Sequence, residues 1–185
     1  MGFAIAHQLA QAGASVILIA GPVSLSIHHP EITRINVRSA QQMHDTAMQH
    51  FPDCDAAILS AAVADYAPVT TYSEKIKKKS PELTLSLRPN PDIAYELGQI
   101  KKNNQVMVGF ALETHNEHEF ARAKMKKKNF DFIVLNSLQD KGAGFGVDTN
   151  KVTFIDSRGH TEKFVLKSKN EVAMDIINKL ALCFK

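Results

Sequence analysis

The sequence predicts an α/β fold: a doubly wound, mostly parallel sheet with helices on both faces and an antiparallel hairpin near the C-terminus. Three observations carry this expectation. Short continuous apolar runs, such as Ser15-Val16-Ile17-Leu18-Ile19-Ala20 and Val106-Met107-Val108-Gly109-Phe110-Ala111, alternate with stretches of helical periodicity, as strands buried on both sides of a parallel sheet require. Two β-prone runs flank Asp156-Ser157-Arg158-Gly159, a turn signal for a hairpin. The chain has 185 residues, 44% of them apolar, enough for one core, so residues 1–185 are expected to form a single domain.

Taken in order, Gly2-Phe3-Ala4-Ile5-Ala6-His7-Gln8-Leu9-Ala10 reads as a helix with its apolar residues on one face and no strand before it, ending near Gly13, which suits a left-handed cap. Residues 15–20 follow as a buried strand broken by Gly21-Pro22, and residues 32–37 as a second strand. Ser39 and Gln42 suggest a capping box for a helix running to His50. Residues 55–61 read as a short buried strand. Residues 62–80 lack periodicity, and a loop of that length in a compact domain is expected to serve as a functional lid. Leu83-Thr84-Leu85-Ser86-Leu87 alternates as a half-exposed strand should. Asn90-Pro91-Asp92 opens a helix with Pro91 in its first turn. Residues 106–111 and 132–135 are strands, with a helix from Asn116 to Lys128 between them. Residues 151–155 and 163–166 form the hairpin, and Ser168 with Glu171 caps a last helix whose Val172, Ile176 and Leu180 share a face. The whole is Rossmann-like.

Composition excludes several classes. A net charge of +3, from 22 Lys+Arg against 19 Asp+Glu, is too slight to demand a nucleic-acid partner. No run approaches the roughly 20 apolar residues of a membrane span, and no secretory leader is visible, so no membrane partner and a cytoplasmic location are expected. Cys54 and Cys183 are too few and too distant for a zinc or redox motif, and the eight histidines, His28 and His29 included, show no ligand spacing.

In a doubly wound sheet ligands bind beyond the carboxyl ends of the strands. The loops to inspect are therefore Gly21-Pro22, residues 60–79, Asn90-Pro91-Asp92 and residues 110–114. A nicotinamide-dependent short-chain dehydrogenase is disfavoured. The strand that should end on a ribose-binding acid ends Ala20-Gly21-Pro22, and Tyr66, Tyr72 and Tyr95 are followed four residues on by Thr70, Ile76 and Gln99 rather than lysine. Lysines point elsewhere. Lys75-Ile76-Lys77-Lys78-Lys79 on the long loop and Lys124, Lys126, Lys127 and Lys128 near a helix end suit the charge that builds up in phosphoryl or nucleotidyl transfer. Each run has an ordinary reading as a solvated face, and the second also complements the helix dipole. Asp65 is a single carboxylate suited to Mg²⁺ or a ribose hydroxyl, with a turn hydrogen bond as its ordinary alternative. Asp92 suits a helix first turn whose N–H groups can receive phosphate.

Six blocks in order, Met1-Gly2-Phe3-Ala4-Ile5-Ala6, Gly21-Pro22-Val23-Ser24-Leu25, Ala61-Ala62-Val63-Ala64-Asp65-Tyr66, Lys75-Ile76-Lys77-Lys78, Asn90-Pro91-Asp92-Ile93 and Val108-Gly109-Phe110-Ala111-Leu112-Glu113-Thr114, resemble bacterial phosphopantothenoylcysteine synthetase. This phosphopantothenate–cysteine ligase is often the C-terminal half of a bifunctional coenzyme A biosynthesis protein. The resemblance covers essentially the whole chain, including Lys128-Asn129-Phe130-Asp131 and Asn136. It implies that CTP, 4′-phosphopantothenate and cysteine are the substrates and that an acyl-cytidylate is the intermediate. It further implies Lys75 as the catalytic lid lysine, and Leu59, Ser60, Ala61, Asp65, Pro91, Asp92, Ile93, Ala94, Phe110, Lys124 and Lys128 around the nucleotide. Ala61 and Ala62 are implied at the acyl-cytidylate and Asp65 at Mg²⁺. A homodimer and a decarboxylase domain in the full-length protein also follow from the resemblance, and the terminal hairpin is expected to contribute to the dimer contact. Family members carry a strand and a Gly/Ser-rich substrate loop before the Met-Gly matched by Met1-Gly2, so that segment is expected to be missing here. A catalytically incomplete nucleotide-binding or assembly module is the alternative.

Overall fold

The computed structural model describes residues 1–77, 82–113, 117–137 and 147–184. Lys78 and Lys79 of the lysine run, Thr114 of the fourth loop and Asn116 at the expected helix start lie outside the described residues. Helix α1 (Gly2–Gln11) buries Ile5, Ala6 and Ala10, and the chain turns out of it through Gly13 at φ +88°, a left-handed conformation that glycine adopts without a Cβ penalty. Strand β1 (Val16–Ala20) pairs in parallel with β2 (Ile32–Asn36), Val16 opposite Ile32. Helix α2 (Ala40–His50) starts at Ser39, whose Oγ accepts from the Gln42 N–H at 3.1 Å. The reciprocal bond goes elsewhere: the Gln42 side chain accepts from the Arg38 N–H at 2.8 Å, so only half of the expected capping box forms.

A 3₁₀ turn (Phe51–Asp53) leads into β3 (Ala56–Leu59). Strands β4 (Tyr66–Pro68) and β5 (Leu87–Pro89) form a separate antiparallel pair. Next come α3 (Ile93–Ile100), β6 (Val106–Glu113), α4 (Glu117–Lys128) and β7 (Phe132–Ser137). The chain ends with β8 (Thr149–Asn150), β9 (Val152–Asp156), β10 (Thr161–Lys163), β11 (Lys167–Ser168) and α5 (Lys169–Cys183). The main sheet has the order β10-β9-β7-β6-β3; β3, β6 and β7 are parallel, and β9 and β10 form the antiparallel hairpin. Strands β8 and β11 make a small antiparallel pair leading into α5. There the Ser168–Glu171 capping box is complete.

Alternation along the strands divides the core into two layers. Val106, Val108, Phe132, Val134, Val152 and Phe154 face one side, where α5 supplies Val172, Ala173, Ile176 and Leu180 and α1 supplies Ile5. Met107, Ala111, Ile133, Leu135 and Ile155 face the other, against Ile93 and Leu97 of α3, Ala121 and Met125 of α4, and Met43, Ala47 and Met48 of α2. This is the doubly wound α/β architecture that the sequence predicts.

The structure corrects several details. Among the described residues the sheet is not continuous: β1 and β3 are each hydrogen-bonded along one edge, and the β1–β2 pair meets the rest chiefly through α1 and α2 rather than through a ladder. Accordingly β1 is not fully buried, with Ile17 39% exposed. Residues 83–86 do not form a strand, and Leu83, Leu85 and Leu87 are all exposed, so their alternation reflects no buried face. Strand β10 begins at Thr161 and stops at Lys163, before the expected span ends, because its register is set by pairing with Ile155, Phe154 and Thr153. Pro91 precedes the α3 N-cap, which is Asp92, and so stands outside the first turn.

Candidate functional site

The carboxyl ends of β3 and β6 and the start of α3 are joined by a continuous series of contacts. Leaving β3, the chain passes Ser60 close to α1: a Cβ placed on Gly2 would lie 2.8 Å from Ser60 Oγ, so a side chain at residue 2 would displace one of them. The following loop is fastened to the segment before α3 by Asn90, whose backbone N–H donates to Asp65 O and whose side-chain amide donates to Ala64 O, both at 2.8 Å. Two residues on, Asp92 caps α3 by accepting from the Tyr95 N–H at 3.2 Å and takes a second bond from Lys128 Nζ at 2.8 Å. One turn earlier on α4, Lys124 Nζ donates to the Phe110 carbonyl of β6 at 2.8 Å. Lys124 and Lys128 are four residues apart and so lie on one face of α4.

Electrostatics follow from this geometry. Burial alone would raise the Asp92 carboxyl, but the Lys128 ammonium and the Tyr95 N–H favour its charged form and hold it below the ordinary carboxylate range. Asp92 therefore holds Lys128 beside the start of α3. Cations and a helix N-terminus converging in this way suit an anionic group, with phosphate the natural match.

Of the residues selected from the sequence, the structure brings together Asp65 (through its backbone), Asp92, Phe110 (through its carbonyl), Lys124 and Lys128. Ser60 is half-buried, while Ala61, Ala62 and the Asp65 side chain are exposed beyond β3. Leu59, Ile93 and Ala94 pack into the core layer beneath α2, α3 and α4, and Ile93 is only 8% exposed, which leaves its backbone, not its side chain, available to a ligand. Phe110 is likewise packed against the opposite core layer. Pro91 is half-buried between Asn90 and the cap. Lys75 lies on an exposed segment after β4, and no hydrogen bond or ion pair among the described residues connects it to these contacts. Among the described residues no three His, Cys, Asp or Glu side chains gather into a metal-binding group.

Two functions went unread in the sequence. Asn90 is the tie between the 64–65 and 90–92 segments; its position before Pro91 signals a turn, but not the partner 26 residues away. Asn129-Phe130-Asp131 proves to be a positioning element for α4. Asn129 takes φ +55° and donates to Gly98 O at 3.0 Å. Phe130 lies over Gly109, and Asp131 accepts from Lys101 Nζ and the Met107 N–H, both at 2.6 Å. This seats the C-terminal turn of α4, and with it Lys128, against α3.

A family model described as the DNA/pantothenate metabolism flavoprotein C-terminal domain matches residues 1–183. A relative named cysteine/cysteine sulfinic acid decarboxylase, from an unknown prokaryotic organism, is 53% identical over 180 residues, 97% of this chain and 50% of the relative. The coenzyme A biosynthesis bifunctional protein CoaBC of Bacillus subtilis (strain 168) is 42% identical over 185 residues, 100% of this chain and 45% of that protein. The chain thus spans about half the length of the curated relatives it matches. Among solved structures, the C-terminal domain of a CoaBC protein superposes with a TM-score of 0.80 at 33% identity, covering 97% of this chain and 80% of that one.

Proposed function

Because the chain belongs to the DNA/pantothenate metabolism flavoprotein C-terminal domain family, we propose that it is the ligase portion of a coenzyme A biosynthesis protein, joining 4′-phosphopantothenate to cysteine with CTP as co-substrate. The observation that carries this reading is the linked set Ala64–Asn90–Asp92–Lys128, with Lys124 on Phe110, at the carboxyl ends of the parallel strands. It lies where a doubly wound fold binds nucleotides.

In this reading the phosphopantothenate carboxylate attacks the α-phosphorus of CTP, pyrophosphate departs, and an acyl-cytidylate remains. The cysteine amine then attacks the acyl carbon and CMP leaves with the C–O electron pair. Converting a carboxylate oxygen into a phosphate leaving group is what makes the acyl carbon reactive. Lys124 and Lys128 hold the phosphates, and the N–H groups of the first turn of α3 add dipolar stabilisation. Lys75, carried on the exposed 62–77 segment, closes over the transferring group and neutralises its developing charge. Ala61 and Ala62, small and exposed, leave room for the acyl-cytidylate. Asp65 would hold Mg²⁺; a single carboxylate fits that ion, which is commonly held by one or two carboxylates together with substrate phosphates and there offsets phosphate charge.

The decarboxylase activity in the name of the 53% identical relative is assigned here to the half of that protein outside the matched region. A further strand, supplied by residues upstream in the full-length polypeptide, would have the free edges of β1 and β3 available for pairing. A homodimer is supported by the exposed Tyr66, Val69, Leu83, Leu85 and Leu87 around β4 and β5 as well as by Val165 and Leu166 after the hairpin.

The test is pyrophosphate release from CTP, Mg²⁺ and phosphopantothenate by the full-length protein. Lys75→Ala is expected to lower kcat about 100-fold or more while leaving the fold intact, and ATP is expected to substitute poorly. Absence of release by the unmodified protein overturns the ligase reading; equal release by Lys75→Ala overturns that lysine's role.

A further inference from the structure

Helix α4 carries two cationic faces, and the proposed ligase site uses only one. Residues 122 and 126 are separated from 124 and 128 by two positions, about 200° around a helix. Lys124 and Lys128 turn toward β6 and α3. Arg122 and Lys126 turn the other way, toward the β9–β10 hairpin, where they line an open cavity of about 490 Å³ with Arg158 from the hairpin turn. Met125 and Phe130 lie at its base, and Asn129, Ser157 and Gly159 complete it.

Four features set this hollow apart from an ordinary solvated helix face. Among the described residues its lining has three cations and no carboxylate. The nearby Asp156 is already engaged: one oxygen accepts from the Arg158 and His160 N–H groups and the other from Lys179 Nζ at 3.1 Å. The helix dipole accounts for Lys126 in the last turn of α4, but Arg158 comes from a different element. Among the described residues, Lys126 and Arg158 make no ion pair or side-chain hydrogen bond, and Arg122 makes only a long one, 3.4 Å to Gly159 O. Two guanidinium groups and an ammonium around one cavity, without counter-charge among the described lining residues, form the donor set that recognises a tetrahedral oxyanion.

We propose that the cavity between α4 and the β9–β10 turn is a second anion site, binding a phosphate group through Arg122, Lys126 and Arg158, separate from the Lys124–Lys128 face. The phosphate can be inorganic or the head of an organic ester. In the ester case the organic part would rest near Met125 and Phe130.

The experiment is an amide-resolved NMR titration of the protein at low ionic strength with inorganic phosphate and, in parallel, with phenyl phosphate. Saturable shifts at Asn129, Ser157, Arg158 and Gly159 are expected. Arg122→Gln with Arg158→Gln is expected to weaken that binding about tenfold or more, the scale of one lost charge-assisted contact, with the remaining spectrum unchanged. Lys124→Ala is expected to leave the shifts at 157–159 in place. Tighter binding of phenyl phosphate identifies an organic ester as the ligand, and equal binding identifies the bare anion. Absence of saturable shifts at 157–159, or affinity unchanged in the double variant, overturns the proposal. A well-dispersed Arg158→Gln single variant provides the same readout if the double variant does not fold.

Discussion

His44 shows how a single side chain can fasten one helix to another. From α2 it reaches Glu96 of α3 through Nε2 and Asp45 through Nδ1, each at 2.9 Å, with 15% of its side chain exposed. Hydrogen bonds to Asp45 and Glu96 outweigh burial and raise its pKa above the ordinary histidine value of 6.5. The folded state therefore binds the proton more tightly than the unfolded chain does. This contribution to stability is fully present below pH 6.5 and is lost as pH rises through the raised folded-state value. Urea midpoints measured between pH 5.5 and pH 8.5 are expected to fall across that interval for this linkage, and His44→Gln is expected to flatten the fall. An unchanged slope in the variant would mean that another group governs the profile.

At the level of elements, α4 is held in place by the turn that follows it. Lys101 is only 9% exposed and depends on Asp131 and on Asn129 O for its partners. Asp131→Ala strands that ammonium and removes the acceptor for Met107 N–H, so a loss of about 3 kcal/mol is expected in equilibrium denaturation. Gly109→Ala acts from the strand side, because a Cβ there would meet the ring of Phe130, which is 4% exposed and cannot swing away. A destabilisation of about 1–3 kcal/mol is expected, and a midpoint within error of the unmodified protein would show that the ring yields. These contacts also show what the sequence makes legible. Strands β6 and β7, α5 and its Ser168 cap could be read directly, because apolar periodicity and capping are local properties. Asp92 and Lys128 could each be singled out by type and position. Their pairing across 36 residues, the Asn90 tie and the seating of Phe130 on Gly109 depend on tertiary approach, which local patterns do not encode. The 83–87 run misled for the same reason: alternation signals a strand only where a second layer covers one face.

Across the whole molecule, the two pieces of sheet differ in how they are secured. Strands β6, β7 and β9 are flanked by hydrogen-bonded neighbours on both sides and covered by both core layers. Among the described residues the β1–β2 pair has one ladder, shared between its two members, and packs on the remainder chiefly through helices. Side-chain packing between helices and strands is divisible in a way that a shared ladder is not. In a chain of residues 1–185 alone, the β1–β2 unit is therefore expected to open as a sub-global unit while the main sheet stays closed, whereas an upstream strand paired with β1 in the full-length polypeptide would tie it to the main sheet. In native-state hydrogen exchange, amides of Val16–Ala20 and Ile32–Asn36 should exchange at a common free energy below that of Val106–Ala111 and Phe132–Leu135, and a single shared value would rule out independent opening. The feature that in the static fold is only a missing row of hydrogen bonds thus becomes, in time, a cleavage plane: proteases acting on residues 1–185 alone would meet residues 16–36 exposed well before the strands that carry the proposed site, and the same digestion of the full-length polypeptide would report whether an upstream strand closes that plane.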